Sequence, residues 1–211
     1  MPTYKLKYFH ERGRAEPCRL LFAVAGVEYE DIRFNEEQWQ SENEPASEKY
    51  PFRQMPVLEV DGQVIAQSRA IARYLANEFG LAGKTNLDKA RVDMVIDAIE
   101  DIIERFVEMW FGNDEAKKAE AKEKCLTKTT PMIFSGLEKM LISNKGGDGF
   151  FVGDSLTWAD LAFIVHTDYH VDQLKEAATL SAFPKLTALR ERVLEQPKVK
   201  KWIEARPKTE M

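Results

Sequence analysis

Residues 54–69 read QMPVLEVDGQVIAQSR, and this stretch decides which fold the sequence can adopt. Two runs of strand-forming residues flank Asp61-Gly62, a pair that strongly favours a two-residue hairpin turn. The helical pattern AIARYLA begins at residue 70, two residues after Ser68. We therefore predict a β-β-α unit whose helix opens at Ser68. Its first turn carries Arg69 and no carboxylate, so the positive end of the helix dipole is left for an outside anion to neutralise.

The residues before this unit predict two further strands and a helix. Residues 4–8 alternate apolar and polar side chains, AEPCRLLFAVAG at 15–26 has the start and stop signals of a helix, and VEYEDIRF at 27–34 reads as a strand. This order gives a βαβ opening, for which a right-handed crossover is the rule. Residues 35–55 are polar and contain two prolines, so we predict an irregular segment there.

The rest of the chain predicts helices alone. Apolar residues recur at three- and four-residue steps from Val92 to Trp110, which is typical of a long amphipathic helix. Pro131 should kink or divide a later helix. Thr157 and Asp160 have the spacing of a capping box, with aspartate in the usual place of glutamate.

Length, composition and charge exclude several classes of protein. A chain of 211 residues with 44% hydrophobic and 31% charged residues is an ordinary globular one, and we divide it into domains at 1–80 and 87–211. The net charge of −5 argues against nucleic acid as a partner. The sequence has no run of about 18 apolar residues, so it predicts no membrane span. Two cysteines without zinc-type spacing suit the reducing cytoplasm and predict no metal site.

Two positions around the hairpin could carry chemistry, and each also has an ordinary structural interpretation. A cis Met55-Pro56 bond would expose the Met55 backbone to a ligand, whereas a trans bond would simply begin the strand. Ser68 and the backbone N–H groups after it could bind an anion, with Gln67 adding a donor or acceptor. The alternative at this second position is a serine N-cap in contact with water.

A third candidate lies at the end of the first strand, where ligands gather in α/β sheets. Tyr8 and Arg14 stand on either side of a turn that contains glycine, and both could face a ligand. Arg14 also lies near a helix N-terminus, which is unfavourable for a cation that has no other task. The alternative is a core tyrosine next to a surface arginine.

The order of these motifs resembles that of the cytosolic glutathione transferases, and most closely their sigma class. Tyr8 lies in YFxxRGRAEP, Trp39 follows, Met-Pro precedes the hairpin, Gln-Ser precedes AIARYL, and TWAD lies in the helical half. Five motifs in this order over the whole chain are highly specific. The resemblance implies an α/β thioredoxin-like N-terminal domain that binds glutathione and an all-α C-terminal domain that forms the electrophile pocket. It also implies a homodimer in the cytoplasm.

The resemblance assigns the catalytic role to Tyr8, whose hydroxyl would donate a hydrogen bond to the glutathione sulfur. Arg14 would stand beside it and add positive potential. Lowering a thiol pKa by ~2 units from about 8.5 requires ~2.7 kcal/mol. One charge-assisted hydrogen bond supplies about 1.5–3 kcal/mol, so a single phenol is sufficient.

The resemblance places the middle and the glycine end of glutathione on residues before the hairpin. The indole N–H of Trp39 would donate to the glycine end. The backbone of Gln54 and Met55 would pair with the cysteinyl part as a strand does, beside a cis Pro56.

The γ-glutamyl end would bind at the start of the helix and across the dimer. Gln67 and Ser68 would hold its carboxylate, and Asp101 of the second subunit would reach its ammonium group. Asp101 lies within about one helical turn of Asp97 and Glu100. Such a cluster could attract a divalent cation, but the plainer interpretation is a solvated acidic face.

The function implied by the resemblance is the transfer of glutathione to small hydrophobic electrophiles, with glutathione as co-substrate and without a metal. The same thiolate could also reduce peroxides. His10, Phe106 and Trp110 would contribute to the electrophile pocket. Two alternatives stay open at this point: a glutathione-dependent isomerase that makes prostaglandin D, and a structural or ligand-binding protein of the crystallin type.

Overall fold

The computed structural model describes residues 2–43, 50–174 and 177–209. Of these, the residues within Met1–Leu81 and Gln196–Met211 form one compact unit, and those within Ala82–Glu195 form a second. None of the helices described is both long and apolar enough to cross a membrane.

The first unit is built on a four-stranded mixed sheet in the order β2-β1-β3-β4. Its strands are β1 (Tyr4–Phe9), β2 (Glu30–Phe34), β3 (Val57–Val60) and β4 (Gln63–Ala66). Strand β1 runs parallel to β2 and antiparallel to β3, and β3 pairs with β4 as a hairpin. Both residues of the predicted turn, Asp61 and Gly62, have the positive φ that a tight hairpin turn needs, so the central prediction is confirmed.

Three helices of this unit lie among or directly after its strands: α1 (Glu16–Ala25), α2 (Glu36–Asn43) and α3 (Ser68–Glu78). Helix α2 was not predicted, because its residues are polar and prolines follow it. It forms because Asn35 and Gln38 cap each other: the Gln38 N–H donates to Asn35 Oδ1 at 2.7 Å, and the Asn35 N–H donates to Gln38 Oε1 at 2.9 Å. The expectation of an irregular segment is therefore wrong for Glu36–Asn43.

The second unit is all helical, as predicted. Its helices are α4 (Asn86–Phe111), α5 (Glu115–Lys124), α6 (Thr130–Ser143), α7 (Trp158–Leu174), α8 (Ala177–Ser181) and α9 (Pro184–Leu194). A short π-helical segment, Cys125–Thr129, joins α5 to α6, and Pro131 stands in the first turn of α6. The π-helical segment thus interrupts the α-helical hydrogen-bond pattern just before Pro131, which lacks the N–H that an α-helix interior would use.

The start of α7 is held by Asp160, which is fully buried. Its carboxylate accepts from the backbone N–H groups of Thr157 at 2.8 Å and Phe151 at 2.9 Å. The Thr157 hydroxyl donates to the same carboxylate at 2.9 Å instead of accepting from the helix backbone. Asp160 thus fixes the loop before the helix as well as the helix start.

The last helix, α10 (Pro197–Ala205), packs against α1 in the first unit. Trp202 Nε1 donates to Glu16 Oε1 at 2.9 Å, and Lys198 Nζ donates to the Val24 carbonyl at 2.7 Å. Helix α10 thus lies within the 87–211 segment of the sequence but packs against the unit that contains the sheet.

Candidate active site

Tyr8 stands near the end of β1 and is buried, with 8% of its surface exposed. The strand alternates buried and half-buried side chains, and Tyr8 lies on the buried side together with Tyr4 and Leu6. Its phenolic oxygen accepts a hydrogen bond from the backbone N–H of Arg14 at 3.2 Å. A phenol has one donor hydrogen, and this bond does not use it. The tyrosine is therefore oriented by the chain and keeps its O–H for a ligand.

The close approach of the turn to this phenol depends on Gly13. Gly13 has φ +40°, and a Cβ atom built on it would lie 2.6 Å from the Tyr8 oxygen. A side chain there would overlap the hydroxyl and strain the backbone at once. The glycine of the YFxxRGRAEP motif is thus required by geometry.

The surroundings of Tyr8 keep its hydroxyl protonated. Burial is the largest cause and raises the pKa of Tyr8, and the charge of Glu11 raises it further. The hydrogen bond from the Arg14 backbone and the charges of Arg14 and Arg19 lower the pKa, but they do not cancel the effect of burial. At neutral pH the phenol can therefore donate its hydrogen in a hydrogen bond, but it cannot act as a base.

Arg14 contacts Tyr8 through its backbone, which the sequence did not indicate. It belongs to a short 3₁₀ turn, Gly13–Ala15, that leads into α1. The hydrogen bond from its backbone and the charge of its guanidinium both lower the pKa of the phenol. The path of the chain at Arg14 thus brings both its backbone and its charge to Tyr8.

Trp39 joins the site through a row of aromatic rings. The ring centroids of Phe9 and Trp39 are 5.9 Å apart, and those of Trp39 and Tyr50 are 5.2 Å apart, both edge-to-face. Trp39 and Met55 pack against buried Tyr50 and Val57. Helix α2 therefore brings Trp39 beside the residues that enter β3.

The predicted residues on either side of the hairpin also meet. The Met55-Pro56 peptide bond is cis. Gln67 Nε2 donates to Gln54 Oε1 at 3.3 Å, so the two amides form a pair on the surface of the unit. The structure thus brings Gln67 to Gln54, next to Met55 and Pro56.

The start of α3 differs by one residue from the interpretation of Ser68 as an N-cap. Gln67 is the N-cap, with φ 73°, and Ser68 is the first helical residue. The side chain of Gln67 is turned to Gln54, and the first turn of the helix reads Ser-Arg-Ala-Ile. The positive end of the helix dipole is therefore not compensated by the sequence of its own first turn.

Cys18 lies behind this helix start and is chemically inert. Its sulfur contacts the Ser68 carbonyl at 4.0 Å, and burial raises the pKa of the thiol to about 12. Because only a thiolate is a good nucleophile, Cys18 cannot replace an external thiol in this unit.

The other predicted residues are Asp101, Phe106 and Trp110, which lie on α4 in the second unit, and His10, which is exposed in the first. Asp101 is exposed on α4, whereas Glu100 beside it is 8% exposed. Among the residues that the structure describes, no group of three or more histidines, cysteines or acidic residues could hold a metal ion. His10 is exposed, Trp110 is 43% exposed, and Phe106 is buried. The roles of Asp101 and of the electrophile pocket remain predictions.

A buried network of charges in the first unit was missed by the sequence analysis. Glu16 and Arg19 of α1 are almost completely buried and form an ion pair at 3.4 Å. Arg19 also pairs with Asp31 at 3.2 Å, and Glu16 with Arg206 at 3.1 Å. The available signal was the pair of opposite charges three residues apart on the otherwise apolar helix EPCRLLF.

Comparison with known proteins identifies the family. Residues 4–77 match the family model for the glutathione S-transferase N-terminal domain, and residues 100–206 match the one for the C-terminal domain. The chain is 42% identical to hematopoietic prostaglandin D synthase of Gallus gallus, over 99% of each chain. It is 40% identical to S-crystallin 4 of Enteroctopus dofleini, over 100% of each.

Among solved structures, the chain is similar to a monomeric glutathione S-transferase of the hookworm Necator americanus. The TM-score is 0.88 and the sequence identity 37%, with 99% of this chain and 100% of the other covered. Both domains, their order and their lengths therefore agree with those of the matched proteins. The chain belongs to the glutathione S-transferase family.

Proposed function

We propose that this protein transfers glutathione to small hydrophobic electrophiles, and that Tyr8 activates the thiol. One observation carries the proposal: the Tyr8 oxygen accepts the Arg14 N–H at 3.2 Å, which leaves the phenolic hydrogen for a ligand. Because the pKa of Tyr8 is raised, this hydrogen stays in place at neutral pH. A thiolate is the kind of acceptor that such a donor stabilises most.

The reaction requires no group beyond the two substrates. The glutathione thiol loses its proton to solvent, and the thiolate accepts a hydrogen bond from Tyr8 O–H. The sulfur then attacks an electrophilic carbon, so that an S–C bond forms while a leaving group departs with its electron pair. We assign the electrophile pocket to the helical domain, residues 87–211. With a peroxide as electrophile, the thiolate would attack one oxygen and an alcohol would leave, and a second glutathione would then convert the resulting sulfenic acid into the disulfide and water.

The other ends of glutathione are assigned from the charge and position of the residues around the hairpin. The γ-glutamyl carboxylate is an anion, and α3 begins with a positive dipole next to Gln67 and Ser68. The cysteinyl backbone would lie along Gln54 and Met55 beside Pro56. Trp39 would donate to the glycine end.

We further propose a homodimer in which Asp101 of one subunit meets the γ-glutamyl ammonium bound by the other. Asp101 is exposed on α4, and Met94 on the same helix is 57% exposed, as expected for an interface helix. We place the protein in the cytoplasm because both cysteines are free. Analytical ultracentrifugation tests the dimer, and activity that falls on dilution as the dimer dissociates would support a shared site.

A second candidate function is the isomerisation of a prostaglandin endoperoxide to prostaglandin D. The observation in its favour is the 42% identity with hematopoietic prostaglandin D synthase of Gallus gallus over 99% of both chains. A similar identity of 40% to S-crystallin 4 raises the alternative of a structural role. The motif around Tyr8 argues for activity, because a structural protein has no need of an oriented phenol.

Two assays separate these functions. Retention on immobilised glutathione together with conjugation of a chlorodinitrobenzene would support the transferase. Formation of prostaglandin D from the endoperoxide, at a rate far above that of conjugation, would support the isomerase. Retention without either activity would support a binding or structural protein.

A further inference from the structure

Arg19 is the largest fully buried side chain in the described part of the chain. Arginine is almost never fully buried unless it is paired, so its position requires an explanation. Its Nη1 donates to the backbone carbonyls of Glu11 at 2.6 Å and Arg12 at 3.3 Å. These carbonyls belong to the turn between β1 and α1. The guanidinium therefore holds that turn in place from inside the unit.

The same turn positions Tyr8. After Arg12 the chain passes through Gly13 to Arg14, whose N–H donates to the Tyr8 oxygen at 3.2 Å. The guanidinium carbon of Arg19 also lies 5.9 Å from the centroid of the Tyr8 ring. Arg19 thus contacts the turn that orients the phenol and places a positive charge against the phenol ring.

The charges around Arg19 leave this region positive. Glu16 accepts from Arg19 and Arg206, and Asp31 accepts from Arg19 and Arg33, so three guanidinium groups share two carboxylates. Among the described residues, Arg19 Nη2 has no hydrogen-bond partner although it is buried. Among the described residues, the other charged or titratable groups that interact with Tyr8 or Arg19 include Glu11, Arg14, Cys18 and Tyr29.

We propose that Arg19 is a positioning residue for Tyr8: it fixes the turn so that the phenolic hydrogen is directed to the glutathione sulfur. This inference rests on the proposed function of Tyr8 as the donor to that sulfur. The fork of N–H groups on the Arg19 guanidinium is needed because one side chain must donate to the Glu11 carbonyl, the Arg12 carbonyl and Asp31. Arg19 does not touch the reacting atoms.

The test is Arg19→Lys, because lysine keeps the charge but cannot bind these acceptors together. The readout is the apparent pKa of the glutathione thiol in the enzyme complex, from the pH dependence of kcat/KM and from thiolate absorbance. We expect the pKa to rise by about one unit, so that kcat/KM falls about tenfold at pH values below it. The affinity for S-methylglutathione, which has no thiol, should change less than about twofold. A merely structural role would lower kcat/KM equally at every pH.

Arg190→Lys is the matched control. Arg190 pairs with Asp168 at 2.6 Å in the second unit and is also largely covered. This variant should leave the pKa of the bound thiol unchanged. A folded Arg19→Lys variant with the pH profile of the unchanged protein would overturn the inference.

Asp31→Asn provides an independent test if Arg19→Lys does not fold. Asp31 is 21% exposed, so the change is milder, and it weakens one of the three acceptors that Arg19 spans. The thiol pKa should rise by a few tenths of a unit, because the looser hold on the turn outweighs the loss of a partly screened charge. A thiol pKa that stays constant or falls in Asp31→Asn would overturn the inference. Tyr8→Phe separates the two proposals. If it leaves the thiol pKa unchanged, the proposed function fails. If the thiol pKa shifts in Tyr8→Phe but not in the Arg19 variant, only the role of Arg19 is refuted.

Discussion

Gly13→Ala tests the geometry of the site with the smallest possible change. The new Cβ would lie 2.6 Å from the Tyr8 oxygen and 2.9 Å from Cε1 of its ring, both well inside van der Waals contact. The backbone at φ +40° adds about 1–2 kcal/mol of strain for any L-residue. The phenol must therefore move away from the turn, and so leave the position from which we propose that it donates to the sulfur.

The expected loss follows from the hydrogen bond that is displaced. A bond from Tyr8 O–H to a thiolate contributes about 1.5–3 kcal/mol, so its loss should lower kcat/KM for conjugation about 10- to 150-fold. The thiol pKa of bound glutathione should rise, whereas the affinity for S-methylglutathione should stay within about threefold. Steady-state conjugation rates measured from pH 5.5 to 9, together with calorimetric binding, give both quantities.

Gly62→Ala is the control for backbone strain. Gly62 has φ +83°, and a Cβ built there would meet no atom within 4 Å. Backbone strain should cost both variants about 1–2 kcal/mol of stability, and the overlap with Tyr8 should add to this loss in Gly13→Ala, but only Gly13→Ala should lose activity. Equal activities in the two variants would refute the claim that close approach to Tyr8 matters.

Two further predictions concern the start of α3 and the start of α7. Ala70→Glu, in the exposed first turn of α3, should stabilise the helix by about 0.3–1 kcal/mol. It should nevertheless raise KM for glutathione about 3- to 10-fold, because the new carboxylate competes with the γ-glutamyl carboxylate for the helix dipole. Ala70→Gln is the neutral control, and an unchanged KM in Ala70→Glu would argue against an anion site. Burial raises the pKa of Asp160 to about 6. Between pH ~4 and ~6 the folded chain therefore keeps a proton on Asp160 that the unfolded chain has lost. The stability that this proton contributes is lost as pH rises through about 6. Urea unfolding should show that the stability advantage over Asp160→Asn is about 1–3 kcal/mol smaller at pH 7 than at pH 4.5, and an advantage that grows with pH would mean that the hydrogen bonds outweigh burial.

The hairpin and the order of the elements could be predicted because they depend on local chemistry. Asp61 and Gly62 tolerate positive φ, so two adjacent residues are sufficient to predict the turn. The long helix α4 follows from a single period of apolar residues. Helix α2 could not be predicted in this way, since its caps, Asn35 and Gln38, are polar residues that favour turns equally well.

The sequence predicts which residues the site could contain, but not how they contact one another. Tyr8, Gln54 and Gln67 were proposed from the order of motifs, because that order reflects a whole fold. The backbone contact from Arg14 and the buried Arg19 depend on distances between segments that no local pattern records. The N-cap is Gln67 and not Ser68, and the positive φ of 73° at Gln67 is a conformation that its residue type does not predict.

The thiol pKa of bound glutathione tests the central claim most directly. Titration of thiolate absorbance should give an apparent pKa of about 6.5 in the complex with the unchanged protein, ~2 units below the free thiol. In Tyr8→Phe the pKa should return toward about 8–8.5, because the ring remains and only the donor is lost. Equal thiol pKa values in the two complexes would contradict the assignment of Tyr8 as the group that stabilises the thiolate.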